Sequence, residues 1–251
     1  MNPVIIIVLA FSLILPIGLM IWWKKKTGAT LCCFLAGAIC FFLFAEVLEA
    51  LLHQLCLGTD NAFSRTVMSS PVLYMLYGGF AAGIFEETGR LFGYKVLLRK
   101  HKEKECAVAY GIGHGGIEVL LILGATYLIY LLISLGVTVG DEAITAQMRE
   151  ISGNITFSTA CLGMAERISA MLLHIGLSML MFTAARKKEK LWLYPVSICL
   201  HALADMPACL YQIGVIRSIP VVELIALAMG VVYLLIGRRV INNNISGNPS
   251  L

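Results

Sequence analysis

Charge is scarce in this chain: only 14% of its 251 residues are Asp, Glu, Lys or Arg, while 59% are hydrophobic. A soluble domain needs a charged surface, so this balance excludes one and leaves a polytopic membrane protein. No polar stretch is long enough to hold a core of its own, and residues 1–251 read as a single integral membrane domain. The net charge of +4 is small and is not the footprint of a nucleic-acid partner. None of the eight cysteines (Cys32, Cys33, Cys40, Cys56, Cys106, Cys161, Cys199, Cys209) forms a CxxC. They lie within or beside apolar runs, where thiols act as small hydrophobes, so neither a zinc-thiolate site nor a disulfide framework is expected. No cationic stretch precedes the first apolar run, which argues against a cleavable signal peptide. There is no repeat of clear period and no low-complexity tract.

What the chain has is apolar runs. Seven can be drawn, at about 3–23, 29–57, 71–94, 106–137, 156–185, 191–214 and 218–237, each near the roughly 20 residues that a helical span needs. The expected fold is therefore all-α, a transmembrane helical bundle of about seven spans. The basic residues set its orientation. Alternate connections hold fourteen of them: Lys24 to Lys26; Lys95, Arg99, Lys100, Lys102 and Lys104; Arg186, Lys187, Lys188 and Lys190; and Arg238 with Arg239. The intervening loops hold three, Arg65, Arg149 and Arg217. The positive-inside rule then places the N-terminus outside and the C-terminus in the cytoplasm. Residues 58–70 and 138–155 become external loops, with an Asn154-Ile155-Thr156 sequon at the edge of the second.

Against this apolar background, four runs carry ionisable groups: Glu86 and Glu87 in GIFEETGR, His114 in GIGHGGIE, His174 in LHIGLS and His201 in LHALAD. At 1.5 Å per helical residue, Glu86 and the three histidines lie roughly 12–18 Å from the basic boundary of their spans, in one band. Buried charge inside a bilayer is costly and usually marks function. Polar residues four positions on share a helix face with each: Arg90 with Glu86, Glu118 with His114, Ser178 with His174 and Asp205 with His201. Arg90 and Arg167 are the basic residues inside apolar segments. Glu46, Glu49 and His53, like Glu166 and Arg167, sit toward the outer ends of their helices and read as interhelical contacts or as an outer substrate path. The glycines Gly111, Gly113 and Gly116 beside His114 read as close helix packing.

Two chemistries fit this set. A glutamate with a histidine activates water while another histidine holds the oxyanion. Alternatively, Glu86, His114, His174 and His201 hold zinc, with bound water as the nucleophile. Both place the site in the cytoplasmic half of the bilayer, in a buried pocket open to the inner leaflet.

The four elements in order resemble the glutamic-type intramembrane proteases related to CAAX-prenyl endopeptidases and bacteriocin-processing enzymes (the CPBP or Abi group), and in particular the YhfC family of intramembrane metalloproteases. The resemblance covers about residues 71–214, which would be the catalytic core. The spacing Glu86-Glu87-x-x-Arg90 and the His201-x-x-x-Asp205 element are nearer to the YhfC and PrsW relatives than to the CAAX endopeptidases. The resemblance implies an endopeptidase of a prokaryotic plasma membrane, acting on membrane-embedded peptide or protein with zinc or with no cofactor. It implies that Glu86 activates water with His114, and that His174 and His201 bind the oxyanion or position substrate. Glu87 and Arg90 would support the site, and Asp205 would orient His201. A proton- or ion-coupled transporter and a non-catalytic scaffold or immunity partner of the same fold are the competing readings.

Overall fold

A computed structural model describes residues 2–245, and their regular elements are all helices. Helix α1 (Pro3–Thr27) starts where the Asn2 side chain accepts from the Val4 amide and ends on Gly28, whose φ of 73° reverses the chain. Its last turn carries Lys24, Lys25 and Lys26, favourable against the helix dipole. Helix α2 (Leu31–Leu57) is continuous but widens into π-type turns over Phe42–Glu49. The short α3 (Ala62–Met68) meets α4 (Pro71–Phe92) at a bend of 109°, and a wider turn, Gly93–Leu97, extends α4. Helix α5 (Glu105–Ser134) widens over Val119–Gly124, directly after Glu118. The amphipathic α6 (Glu142–Gly153) lies in a connection, followed by α7 (Phe157–Arg186), α8 (Leu193–Gln212) and α9 (Ile219–Asn244).

Six of these helices are long and apolar enough to cross a membrane, and α3 with α4 makes a seventh candidate. The seventh is less apolar because α4 carries Glu86, Glu87 and Arg90 within its length. Helix α7 is central: 72% of its most apolar stretch is buried, against 17–33% in the six-helix set's other members. Large apolar side chains elsewhere, such as Ile14, Leu224 and Leu235, face outward, as lipid contact requires. Successive helices alternate in direction, so the connections fall into two groups. The basic clusters lie at one end (the basic end) and residues 58–70, 135–156 and 213–218 at the other (the loop end).

Helices in lipid gain little from hydrophobic exclusion and pack through small residues instead. A Cβ at Gly113 of α5 would lie 1.9 Å from the Phe34 carbonyl oxygen of α2, and one at Gly83 of α4 would lie 2.6 Å from that of Ile198 in α8. The second approach brings the helices bearing Glu86 and His201 together, and the first seats the helix bearing His114 on α2. At the basic end, Arg186 donates to the carbonyls of Tyr94, Leu98 and His101 at 2.6–2.9 Å, fixing the connection between α4 and α5. One expectation fails here: Cys33 and Cys106 form a disulfide joining the first turns of α2 and α5, with Cα atoms 5.5 Å apart. The sequence separation of 73 residues gave no hint, because proximity arises only when the two helices pack.

Candidate active site

The band of polar residues converges. Helix α4 presents Glu86, Glu87 and Arg90, all buried, toward His114 of α5, His174 of α7 and His201 of α8. Glu86 Oε2 is 2.8 Å from His114 Nε2, 3.5 Å from Arg90 and 3.9 Å from His174 Nδ1, while Oε1 is 3.7 Å from His201 Nε2. Glu87 holds Arg90 and, at 2.8 Å, His201 Nδ1. Arg90 also reaches His174 Nδ1, so one guanidinium ties both glutamates to a histidine. The three rings stand in a row, His114 to His174 at 4.7 Å and His174 to His201 at 5.8 Å between centroids.

All eight residues expected at the site are gathered here, but several have other partners than their spacing suggests. Glu118 does not hold His114, its neighbour four residues back; it pairs with His174 Nε2 from the adjacent helix. Asp205 lies 3.4 Å from His201 Nε2, yet Glu87 makes the shorter contact to that ring and is the main orienting carboxylate. Ser178 is buried, and its hydroxyl makes no hydrogen bond among the described residues. Arg167 is an addition. It donates to Glu118 at 2.8 Å and also pairs with Glu166, extending the network from His174 toward the loop end. The signal for it was an arginine within an apolar run, which needs a buried carboxylate somewhere.

A cavity of about 500 Å³ runs from this cluster. Glu86, Glu118, His174 and His201 line its base, and Asp205, Cys209, Gln212, Tyr77, His53 and Glu223 line its walls toward the loop end. The lining runs to the loop-end turns of α2, α4, α8 and α9, through Leu57, Tyr74, Gln212 and Val222, rather than toward the basic end, where the positive-inside expectation had put the inner leaflet. Near the mouth, His53 bonds Tyr77 at 2.9 Å and Glu49 at 3.2 Å, so the outer polar residues join the cavity wall. On the basic side the cluster rests on Tyr94, Tyr110 and Phe182, each fully buried, with the Tyr94 ring tilted against Tyr110 at 4.5 Å and edge-on to Phe182 at 5.2 Å.

The donor set suits a divalent metal. Glu86, His114 and His174 are buried, and one ligand atom from each lies within 4.8 Å of the others. Two histidines and a glutamate are a known zinc triad. Charge balance agrees: Glu86, Glu87, Glu118 and Asp205 face only Arg90 and Arg167, and Arg167 is shared with Glu166. Counted formally with Glu166, five carboxylates face two guanidiniums, an excess of three that a divalent cation and protons on the imidazoles would offset.

Comparison with known proteins shows which family the chain resembles. The profile of the family described as YhfC intramembrane metalloprotease matches residues 11–226, including every residue of the cluster. The chain is 35% identical over 245 residues to an uncharacterized membrane protein YhfC of Bacillus subtilis (strain 168), covering 92% of this chain and 94% of that one. No solved structure matches the chain. With a family match over most of its length and a relative aligned nearly end to end, this membrane protein belongs to the YhfC intramembrane metalloprotease family.

Proposed function

We propose that this protein is an intramembrane endopeptidase in which Glu86, supported by His114, activates water at the base of the cavity. The observation that carries the reading is the 2.8 Å contact between Glu86 and His114, residues of different helices, beneath a cavity large enough for a peptide segment. The 3.7 Å gap between Glu86 Oε1 and His201 Nε2 suits a bridging water or a substrate carbonyl oxygen. Glu86 takes the proton of the attacking water as the bond to the carbonyl carbon forms, and passes it to the leaving amine. His114 donates to Glu86 and fixes which oxygen faces the cavity. His201, as an imidazolium donating from Nδ1 to Glu87, turns its Nε2–H toward the developing oxyanion. Arg90 fixes the glutamates and the His174 ring from behind. With zinc bound, Glu86, His114 and His174 would be its ligands, and the ion would supply Lewis acidity and a more acidic water.

The fully buried aromatic floor bears on the transporter reading, since a carrier needs a path to both faces. The proposal is tested with full-length protein in lipid nanodiscs and a fluorogenic membrane-embedded peptide. Glu86→Gln and His114→Ala each lower the cleavage rate by at least about 100-fold while helix content holds. Wild-type rates in both variants reject it.

A further inference from the structure

A second cluster of donors lies at the basic end, outside the candidate active site. Cys32 and Cys33 open α2, Cys106 lies in the first turn of α5, and His101 belongs to the connection that Arg186 holds in place. Donor atoms of Cys32, Cys33 and His101 lie within 4.8 Å of one another, and Cys106 is bonded to Cys33. Cys32 Sγ is 3.3 Å from Nε2 of His101. The other ring nitrogen, Nδ1, donates to Glu103 at 2.7 Å. That bond fixes the tautomer in which Nε2 carries a free lone pair aimed at the sulfurs, the carboxylate–histidine arrangement that supports metal ligands. The Thr30 hydroxyl lies 3.1 Å from Cys32 Sγ and 3.4 Å from Cys33 Sγ, placed to donate to thiolates.

We infer that Cys32, Cys33, Cys106 and His101 form a Cys₃His site for zinc in the reduced protein, clamping the basic-end turns of α2 and α5 and the connection between α4 and α5. Three thiolates and one imidazole are a closed tetrahedral zinc set. The positive-inside expectation puts this end in the cytoplasm, where disulfides are rare and thiols prevail. The Cys33–Cys106 disulfide and the zinc site are alternative states of the same sulfurs. A dithiol reductant supplies two electrons and two protons, becoming a disulfide itself while the Cys33–Cys106 bond opens to two thiols. Zinc then displaces the protons of three thiols. Tetrahedral zinc with Zn–S of about 2.3 Å needs sulfurs about 3.8 Å apart. Side-chain rotation reaches that separation from Cα atoms 5.5 Å apart.

The test uses Co²⁺ added to full-length protein in detergent under a phosphine reductant. Sulfur-to-cobalt charge transfer in the near ultraviolet reports only this site, because the Glu86 cluster has no sulfur ligand. The reduced wild type should show the band at one ion per chain, and oxidation with diamide should remove it. Cys32→Ser should lower its intensity by about a third, one thiolate of three, and His101→Ala should weaken cobalt binding at least tenfold. Both positions lie outside the disulfide and the packed core, so the fold stays intact, and Glu86→Gln leaves the band unchanged. No band in the reduced wild type, or unaltered binding in both Cys32→Ser and His101→Ala, overturns the inference. Neither result touches the protease reading.

Discussion

Arg90 offers a sharp test of how the cluster is held. Its side chain is fully buried and touches Glu87, Glu86 and His174. Arg90→Gln removes the cation and leaves two carboxylates facing each other in a low-dielectric interior. Breaking a buried ion pair from one side costs about 3–5 kcal/mol, because the orphaned charge keeps its desolvation penalty. Glu87→Gln added to Arg90→Gln removes one of those charges, and the amide still accepts from His201 Nδ1. The double variant should therefore recover stability, with a coupling of about 2 kcal/mol between the two positions. Reversible unfolding in mixed micelles, titrated with SDS, measures all four members of the cycle. A loss below about 1 kcal/mol for Arg90→Gln, the value of an exposed pair, refutes the account of a dry, mutually dependent network.

Other outcomes follow from the same geometry. Arg167→Gln removes the cation that anchors Glu118 behind His174, and should lower peptide cleavage by about 10–100-fold with little change in helix content. Gly113→Ala forces α2 and α5 apart at the Phe34 carbonyl and should cost about 1–3 kcal/mol in the same unfolding assay. Because Cys209 lines the cavity on the loop side, a small thiosulfonate reagent should block cleavage in the wild type and not in Cys209→Ala. The walls carry Glu49, Glu166, Asp205 and Glu223 against Arg167 alone, so Glu49→Gln with Glu223→Gln should raise KM several-fold for lysine-bearing peptides and leave kcat unchanged.

Much of this arrangement could be read in the sequence, and what could not has a common cause. Apolar runs and basic clusters report each helix separately, and all seven runs and both kinds of connection reappear. Rise per residue also works one helix at a time, which is why Glu86, His114, His174 and His201 were expected at one depth. Partner choice is different. The four-residue spacing of His114 and Glu118 puts them on one face, but the packing of α7 decides that Glu118 meets His174. The reach of Arg167 to Glu118, the pairing of Cys33 with Cys106 and the direction of the cavity mouth all depend likewise on how two or more helices cross. Glycine pattern pointed to close contact at α5 without saying which helix would fill it.

The aromatic floor under the cluster has an electrical consequence. Water can fill the cavity from the loop end but stops at Tyr94, Tyr110 and Phe182, so most of the membrane potential falls across that dry layer. A proton reaching Glu86 from the loop-end compartment crosses almost none of the field. One coming from the opposite side would cross nearly all of it, about 2.3 kcal/mol for each 100 mV. Depolarising the membrane should therefore leave the rate of peptide cleavage unchanged.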